Sequence, residues 1–314
     1  MSVCSRVQAL TVAPGYAVSE IPYSGGPFAW IDNETVLFTG AKNHPTNPQA
    51  VAGPSALHRW DVKTGEVTEM MKVGNAPDVC YDRDFLYVAF NRGDDRVIRQ
   101  GPIGKQEEVV FKRRTENPFK GYFNRYNCRF REVPSATQAD HGVVTVLRDD
   151  HGFIEGERPS EPFPQRKYFL VRSSGERIQI PLPCGAGRPR YSEFRQAYVY
   201  QDGSSFSSRD IERRVCVVGV DGIVTNYKLP KGVWLQGTVY GMPVKDAILM
   251  ISLSTLVKAE GAYLVRGDSV ERVVKGYVSI FAVGPDGCKV ALNINPAEGM
   301  GARLALMNVC KGEK

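Results

Sequence analysis

The chain lacks the marks of several simple functional classes. Its longest apolar run, Ala247 to Val257, is interrupted by two serines and falls short of the roughly 20 apolar residues that cross a bilayer. No apolar stretch follows Met1 in MSVCSRVQAL, so no secretory signal is legible. The expected compartment is the cytoplasm if Met1 is the native start, and the periplasm if a leader has been removed. The seven cysteines include no CxxC pair, which removes the local zinc spacings, and an odd number cannot form a full disulfide framework. Most of them fall in apolar, β-like segments, where a free thiol acts as a small hydrophobe. One pairing is open: Cys4 and Cys310 come together if 7–13 runs antiparallel beside 303–309, and that bridge requires an oxidising compartment.

Catalytic and cofactor signatures are equally scarce. The four histidines form no motif: His44 and His151 fall in long loops, His141 at a turn and His58 in a strand. No metal site and no cofactor is expected. There is no nucleophile elbow, Walker loop or dinucleotide fingerprint, and Gly185-Ala186-Gly187 opens no helical pattern. Asp149, Asp150, Glu155 and Glu157 offer carboxylates for calcium or acid–base work, but solvated loop charges explain them as well. Two Arg-Gly-Asp triplets, at Arg92 and Arg266, sit where turns are expected, and turn chemistry accounts for them.

What is present is repetition. With 42% hydrophobic and 24% charged residues the composition is that of a folded chain. Short runs rich in Val, Ile, Tyr, Phe and Leu alternate with Gly, Asp and Asn turns almost throughout. Segment 277–310 reads as strand YVSIFAV, tight turn GPDG, strand CKVALNI, longer loop, strand RLALMNV. The same order of short strands and turns recurs five times more. Each unit leaves an apolar face uncovered, so neighbours must stack around a ring. The expectation is an all-β chain forming a single β-propeller domain over 1–314, with about six four-stranded blades. These cover approximately 26–74, 75–112, 125–183, 190–230, 233–276 and 277–310. The last unit lacks its outer strand, and a segment within 7–22, either 7–13 or 16–22, can supply it and close the ring. Seven blades are the alternative if the enlarged third unit hides another hairpin.

Gly284-Pro285-Asp286-Gly287 followed by CKVALNI and RLALMNV resembles the repeat of TolB-like, WD-type propellers, and LHRWDVKTGEV (57–67) resembles its third strand, turn and fourth strand. The resemblance implies architecture. The same repeat serves scaffolds, receptors and enzymes, among them enzymes acting on acidic sugars.

Loop lengths differ between the two ends of the units. Turns joining first to second and third to fourth strands are mostly tight, such as DNET, KTGE, DRD and GPDG, with residues suited to positive φ. The other end carries longer segments: 40–55, 113–124, 149–166, 184–189, 202–212 and 295–302. Long loops on a rigid frame are a recognition surface. Charge points the same way. Segment 112–131 holds seven basic residues against Glu116 alone, an excess equal to the chain's entire formal charge of +6. Its cations alternate with Phe119, Tyr122, Phe123, Tyr126 and Phe130, giving a cationic surface with stacking groups. The candidate ligand-binding residues are Arg113, Arg114, Lys120, Tyr122, Arg125, Tyr126, Arg129 and Arg131, joined by Arg188, Arg190 and Arg195 of the next unit. Guanidinium groups there can hold an anion bidentately. Surface ion pairs with Asp149, Asp150, Glu155, Glu157 and Glu193 are the competing reading.

The function that fits is binding, in which the long-loop face recognises a protein partner or an anionic small molecule or glycan, with no catalytic residues. The alternative is a lyase or hydrolase acting on an acidic carbohydrate-like substrate at the channel mouth. Nucleic acid is disfavoured as a partner because the overall charge is modest.

Overall fold

The computed structural model describes residues 10–47, 49–82, 84–112, 123–124, 127–134, 143–147, 153–156, 168–172, 174–180, 190–201, 214–219, 221–228, 237–254, 260–295 and 301–310. All regular structure among them is β. Two short strands come first, β1 (Thr11–Val12) and β2 (Ala17–Ile21). The first full sheet follows with β3 (Tyr23–Trp30), β4 (Thr35–Lys42), β5 (Ala56–Asp61) and β6 (Val67–Lys72). The second has β7 (Asn75–Asp82), β8 (Phe85–Arg92), β9 (Asp95–Pro102) and β10 (Glu107–Lys112). The third has β11 (Phe123–Asn124), β12 (Asn127–Pro134), β13 (Val143–Leu147), β14 (Phe153–Gly156), β15 (Tyr168–Val171) and β16 (Arg177–Ile180). The fourth has β17 (Arg190–Ser192), β18 (Ala197–Gln201), β19 (Arg214–Gly219) and β20 (Val224–Lys228). The fifth has β21 (Gly237–Val244), β22 (Ala247–Ser254), β23 (Gly261–Arg266) and β24 (Ser269–Lys275). The sixth has β25 (Tyr277–Val283), β26 (Lys289–Asn295) and β27 (Arg303–Asn308).

Each sheet is antiparallel, with strands hydrogen-bonded in chain order. The N-terminal strands complete two of them. Ala17–Ile21 pairs with Arg303–Asn308 from Ala17↔Asn308 to Ile21↔Leu304, so the sixth sheet takes its outer strand from the start of the chain. Thr11–Val12 pairs with the outer edge of β24 and makes the fifth sheet five-stranded. The third sheet has six strands, because β11 and β14 lie inside segments expected to be loops, 113–124 and 149–166. Four strands per unit therefore fails as a uniform rule. The sequence FIEG at 153–156 has only two apolar residues, too few to register as a strand among the prolines and charges around it.

Successive sheets meet through their first or second strands and close a ring. Strand β3 touches β7 and β25, β7 touches β12, β12 touches β17, and β21 touches β18 and β25. The chain is a single β-propeller. Its core lies between sheets: Leu249, Leu264 and Val274 of the fifth pack on Val278, Leu292 and Met307 of the sixth. Ala291 and Leu304 in turn pack on Phe28, Phe38 and Trp60 of the first. Leu37 and Leu57 pack on Val79, Val88 and Val97 of the second. Val199 and Val215 of the fourth pack on Ile248 and Val265 of the fifth. Alternate residues of each strand face opposite neighbours, which is why both faces of these strands are apolar.

Several of the tight turns share one device, an aspartate whose carboxylate accepts backbone N–H groups of the turn. Asp61 Oδ1 accepts from Lys63 N and Thr64 N at 2.9 Å each. Asp221 Oδ1 accepts from Ile223 N at 2.9 Å. Asp286 Oδ1 accepts from Cys288 N at 2.8 Å and Lys289 N at 3.0 Å. These bonds favour the ionised acid, and the Thr64 N–H foremost holds Asp61 below its usual range.

The cysteines depart from expectation. Cys310 bonds to Cys288, with Cα atoms 5.1 Å apart, and not to Cys4, which lies outside the described residues. Cys288 precedes β26 and Cys310 follows β27, so the antiparallel pairing that puts Val309 N on Cys288 O at 2.8 Å also brings the sulfurs together. Cys80 and Cys216 are also disulfide-bonded, so the reading of these residues as buried free thiols is wrong.

Candidate functional site

The two ends of the ring are built differently. At the tight-turn end, the turns between first and second strands join one another across sheets. Lys289 Nζ donates to Asn33 O at 2.7 Å, and Lys245 N donates to Gly287 O at 2.9 Å. The ring of Phe194 lies on Gly287, so close that a Cβ there would come within 2.6 Å of Phe194 Cδ2. Gly287 also has φ +71°, which only glycine adopts readily. Turns of the first, fourth, fifth and sixth sheets are thus tied together, and the Cys288–Cys310 bridge sits among them.

At the other end, three first strands carry an irregularity in the same half. The register shifts between Gly25 and Phe28 in β3, between Asn75 and Asp78 in β7, and between Val278 and Phe281 in β25. A bulge takes carbonyls out of the ladder, and each needs another donor. Side chains supply them. Thr39 Oγ1 donates to Gly26 O at 3.0 Å, and Asn293 Nδ2 of the sixth sheet donates to Gly25 O at 2.5 Å. Arg96 Nη1 donates to Ala76 O at 3.0 Å and to Asn91 Oδ1 at 3.2 Å, while its Nη2 donates to Asp78 Oδ2 at 2.9 Å. Ala76 holds φ +49°, an uncommon conformation for a residue with a Cβ. Gly25 fits against Thr39 O where a Cβ would come within 2.1 Å of that oxygen, so the bulge requires glycine.

The loop after β4 rises beside this rim. Asn43 is pinned by its N–H to Pro22 O at 2.9 Å and by Nδ2 to Ala302 O at 3.1 Å. His44 Nδ1 accepts from Thr46 N at 3.3 Å and Asn47 N at 3.2 Å. It therefore braces its own loop through Nδ1. On the fifth sheet Glu260 precedes β23, and burial raises its carboxyl above the usual range against the opposing pull of Arg272. Among the described residues no group of three or more His, Cys, Asp or Glu side chains is placed to hold a metal ion.

The sequence-derived candidates scatter around this frame. Arg113, Arg114, Lys120, Tyr122, Arg125, Tyr126 and Arg188 lie outside the described residues, as do His141, His151, Asp149, Asp150 and Glu157. Arg129 and Arg131 belong to β12 and Arg190 opens β17, and these two strands touch. Arg195 is elsewhere: it sits in the turn between β17 and β18, exposed, with its guanidinium 4.9 Å over the Phe194 ring. That is the tight-turn end, away from Arg190's end of the strand. Sequence reasoning missed the Arg96–Asp78 pair, Asn293 and Glu260. The available signal was Gly25-Gly26-Pro27 inside a strand-like run, since glycine and proline there mark a bulge.

Comparison with known proteins adds the fold. No protein-family model matches the chain, and no curated protein matches it. A fungal alcohol oxidase of the AA5 family, solved with copper, is similar over 96% of this chain and 76% of its own, at 10% identity and a TM-score of 0.51. A gluconolactonase from Xanthomonas campestris is similar over 96% of this chain and 94% of its own, at 11% identity and a TM-score of 0.43. TolB from Acinetobacter baumannii is similar over 88% of this chain, which spans 64% of the TolB chain, at 11% identity and a TM-score of 0.38. At such identities the likeness concerns backbone architecture, and function has to be argued from this chain's own residues.

Proposed function

We propose that this chain is a binding propeller, its six sheets forming six blades, whose long-loop end recognises a protein partner or an anionic small molecule or glycan. The observation that carries this reading is the contrast between the ends. One is closed by turn-to-turn bonds around Gly287, whereas the other bears the pinned 43–55 loop and three bulged first strands, two of which have polar side chains donating to carbonyls at the bulge. Bulges re-aim backbone and side chains where a surface meets something else, and rigid frames carry recognition loops. Arg129 and Arg131, the end of the cationic stretch 112–131, and Arg190 lie on strands that touch, which joins two groups of the candidate cations. Arg195 is not part of this surface.

The test uses the full chain with Arg113, Arg114 and Arg125 each changed to Glu. Retention on immobilised polyglutamate and on oligogalacturonate at low salt is expected for the native chain and lost in the triple variant. Equal retention of the two proteins overturns the assignment of this face.

A further inference from the structure

The outer edge of the second sheet raises a different question. Strand β10 is the last strand of its sheet, paired with β9 over six residues without a register shift. An unbroken edge strand presents a row of unpaired N–H and C=O groups, which folded proteins usually cover, bulge or charge. The fifth sheet covers its own edge with β1. Among the described residues nothing pairs with the edge of β10, and it carries no proline. Instead it exposes two adjacent valines, Val109 at 38% and Val110 at 46%, where exposed large apolar side chains are otherwise few.

We propose that β10 pairs antiparallel with β10 of a second copy of this chain, about a two-fold axis through Val110. The register follows from geometry. Outward-facing peptide groups occur on every second residue, and a two-fold must carry outward groups onto outward groups. The axis therefore passes through a residue and not between two. Centred on Val109, Glu108 comes opposite Val110 and Glu107 opposite Phe111, two mismatches. Centred on Val110, Val109 comes opposite Phe111, Glu108 opposite Lys112, and Val110 opposite itself.

The strand behind β10 extends this match. Within one copy Asp95 stands opposite Lys112, Val97 opposite Val110, and Arg99 opposite Glu108. Across the joined sheets, one row then reads Asp95, Lys112, the partner's Glu108, the partner's Arg99, with charge alternating at every step. The row through the axis is Val97, Val110 and their two counterparts. Arg99 Nε already donates to Glu108 Oε2 at 2.7 Å, and Arg92 Nη1 donates to Glu108 Oε1 at 3.0 Å, so the seam carboxylate of each row is fixed before association. Opposite charges and apolar pairs directly across an antiparallel seam each stabilise it, whereas like charges oppose it. No other register of this edge with itself matches both the charged and the apolar pairs.

Sedimentation velocity of the full chain tests the proposal. The native chain is expected to show a concentration-dependent dimer, and Val110→Lys, a change at an exposed position, to give a monomer with unaltered circular dichroism and melting. Val110→Cys adds a positive test, since that position faces its own copy. It should form a reductant-sensitive interchain dimer, whereas Ile223→Cys, in a turn and 67% exposed, should not. A native chain that stays monomeric at every concentration measured overturns the proposal, including the case in which another protein's strand occupies this edge. So does a dimer that Val110→Lys leaves intact, or equal cross-linking at positions 110 and 223.

Discussion

Asn293 Nδ2 donates to Gly25 O at 2.5 Å across the boundary between the last and first sheets. The bond joins residues 268 positions apart in the chain and ends on the carbonyl at which the β3 register breaks. Asn293 is itself 8% exposed, so water does not replace the donor easily. Removing one partner of a buried hydrogen bond costs about 1–3 kcal/mol. Asn293→Leu is expected to lower the urea midpoint accordingly. Asn293→Asp is expected to cost more at neutral pH, because it sets a carboxylate oxygen against a carbonyl oxygen, and to recover partly in acid as the carboxyl gains a proton to donate. An Asp variant as stable as the native chain at neutral pH would show that Gly25 O finds another donor.

Much of the architecture could be read from residues, and the reasons are local. GPDG at 284–287 and KTGE at 63–66 are read as hairpin turns because the glycine and the aspartate each do something only a turn requires, as the Asp286 and Asp61 bonds show. Strand order within each sheet follows from short connections between runs of apolar residues. The side chains that serve the bulged rim were not legible, since Asn293, Thr39 and Arg96 are ordinary residues until three distant strands bring them to one end of the ring. Disulfide pairing failed for a related reason. Cys288 and Cys310 sit at the boundaries of two strands, and their proximity depends on a register that the sequence does not state.

That bridge gives the second prediction. Cys288 and Cys310 are 22 residues apart and tie the end of β27, the strand on which the N-terminal β2 closes the sixth sheet, to the turn before β26. A bridge closing a loop of this length stabilises by about 3 kcal/mol in the chain-entropy account. The double variant Cys288→Ser, Cys310→Ser is expected to lose roughly that much in urea unfolding while keeping its β-sheet circular dichroism. Because Cys80 and Cys216 are also oxidised, reductant should destabilise the double variant further, and maturation should need an oxidising environment. A fully reduced native chain with an unchanged midpoint would contradict a structural role for these bonds.

His58 contributes a pH dependence to stability. Its ring stacks on Phe38 with centroids 5.0 Å apart and meets Tyr23 edge-on at 5.1 Å. Nε2 lies 3.2 Å from Gly40 O, which fixes the proton there, and Nδ1 is buried with no partner among the described residues. Protonating Nδ1 would place a charge in this aromatic pocket, so burial lowers the pKa from 6.5, against the smaller opposing effects of Gly40 O and Glu69, while Lys72 adds to the lowering. The unfolded chain, titrating near 6.5, therefore binds this proton at higher pH than the folded chain does. Its contribution to stability is complete above that value and is lost progressively as pH falls from it toward the folded pKa. Thermal melts between about pH 7.5 and about pH 5 should show the native midpoint falling. In His58→Phe, which keeps a flat ring in the pocket and has nothing to protonate, the fall should be shallower. Parallel curves for the two proteins would assign the acid sensitivity to other groups, with the raised carboxyl of Glu260 contributing in the opposite sense.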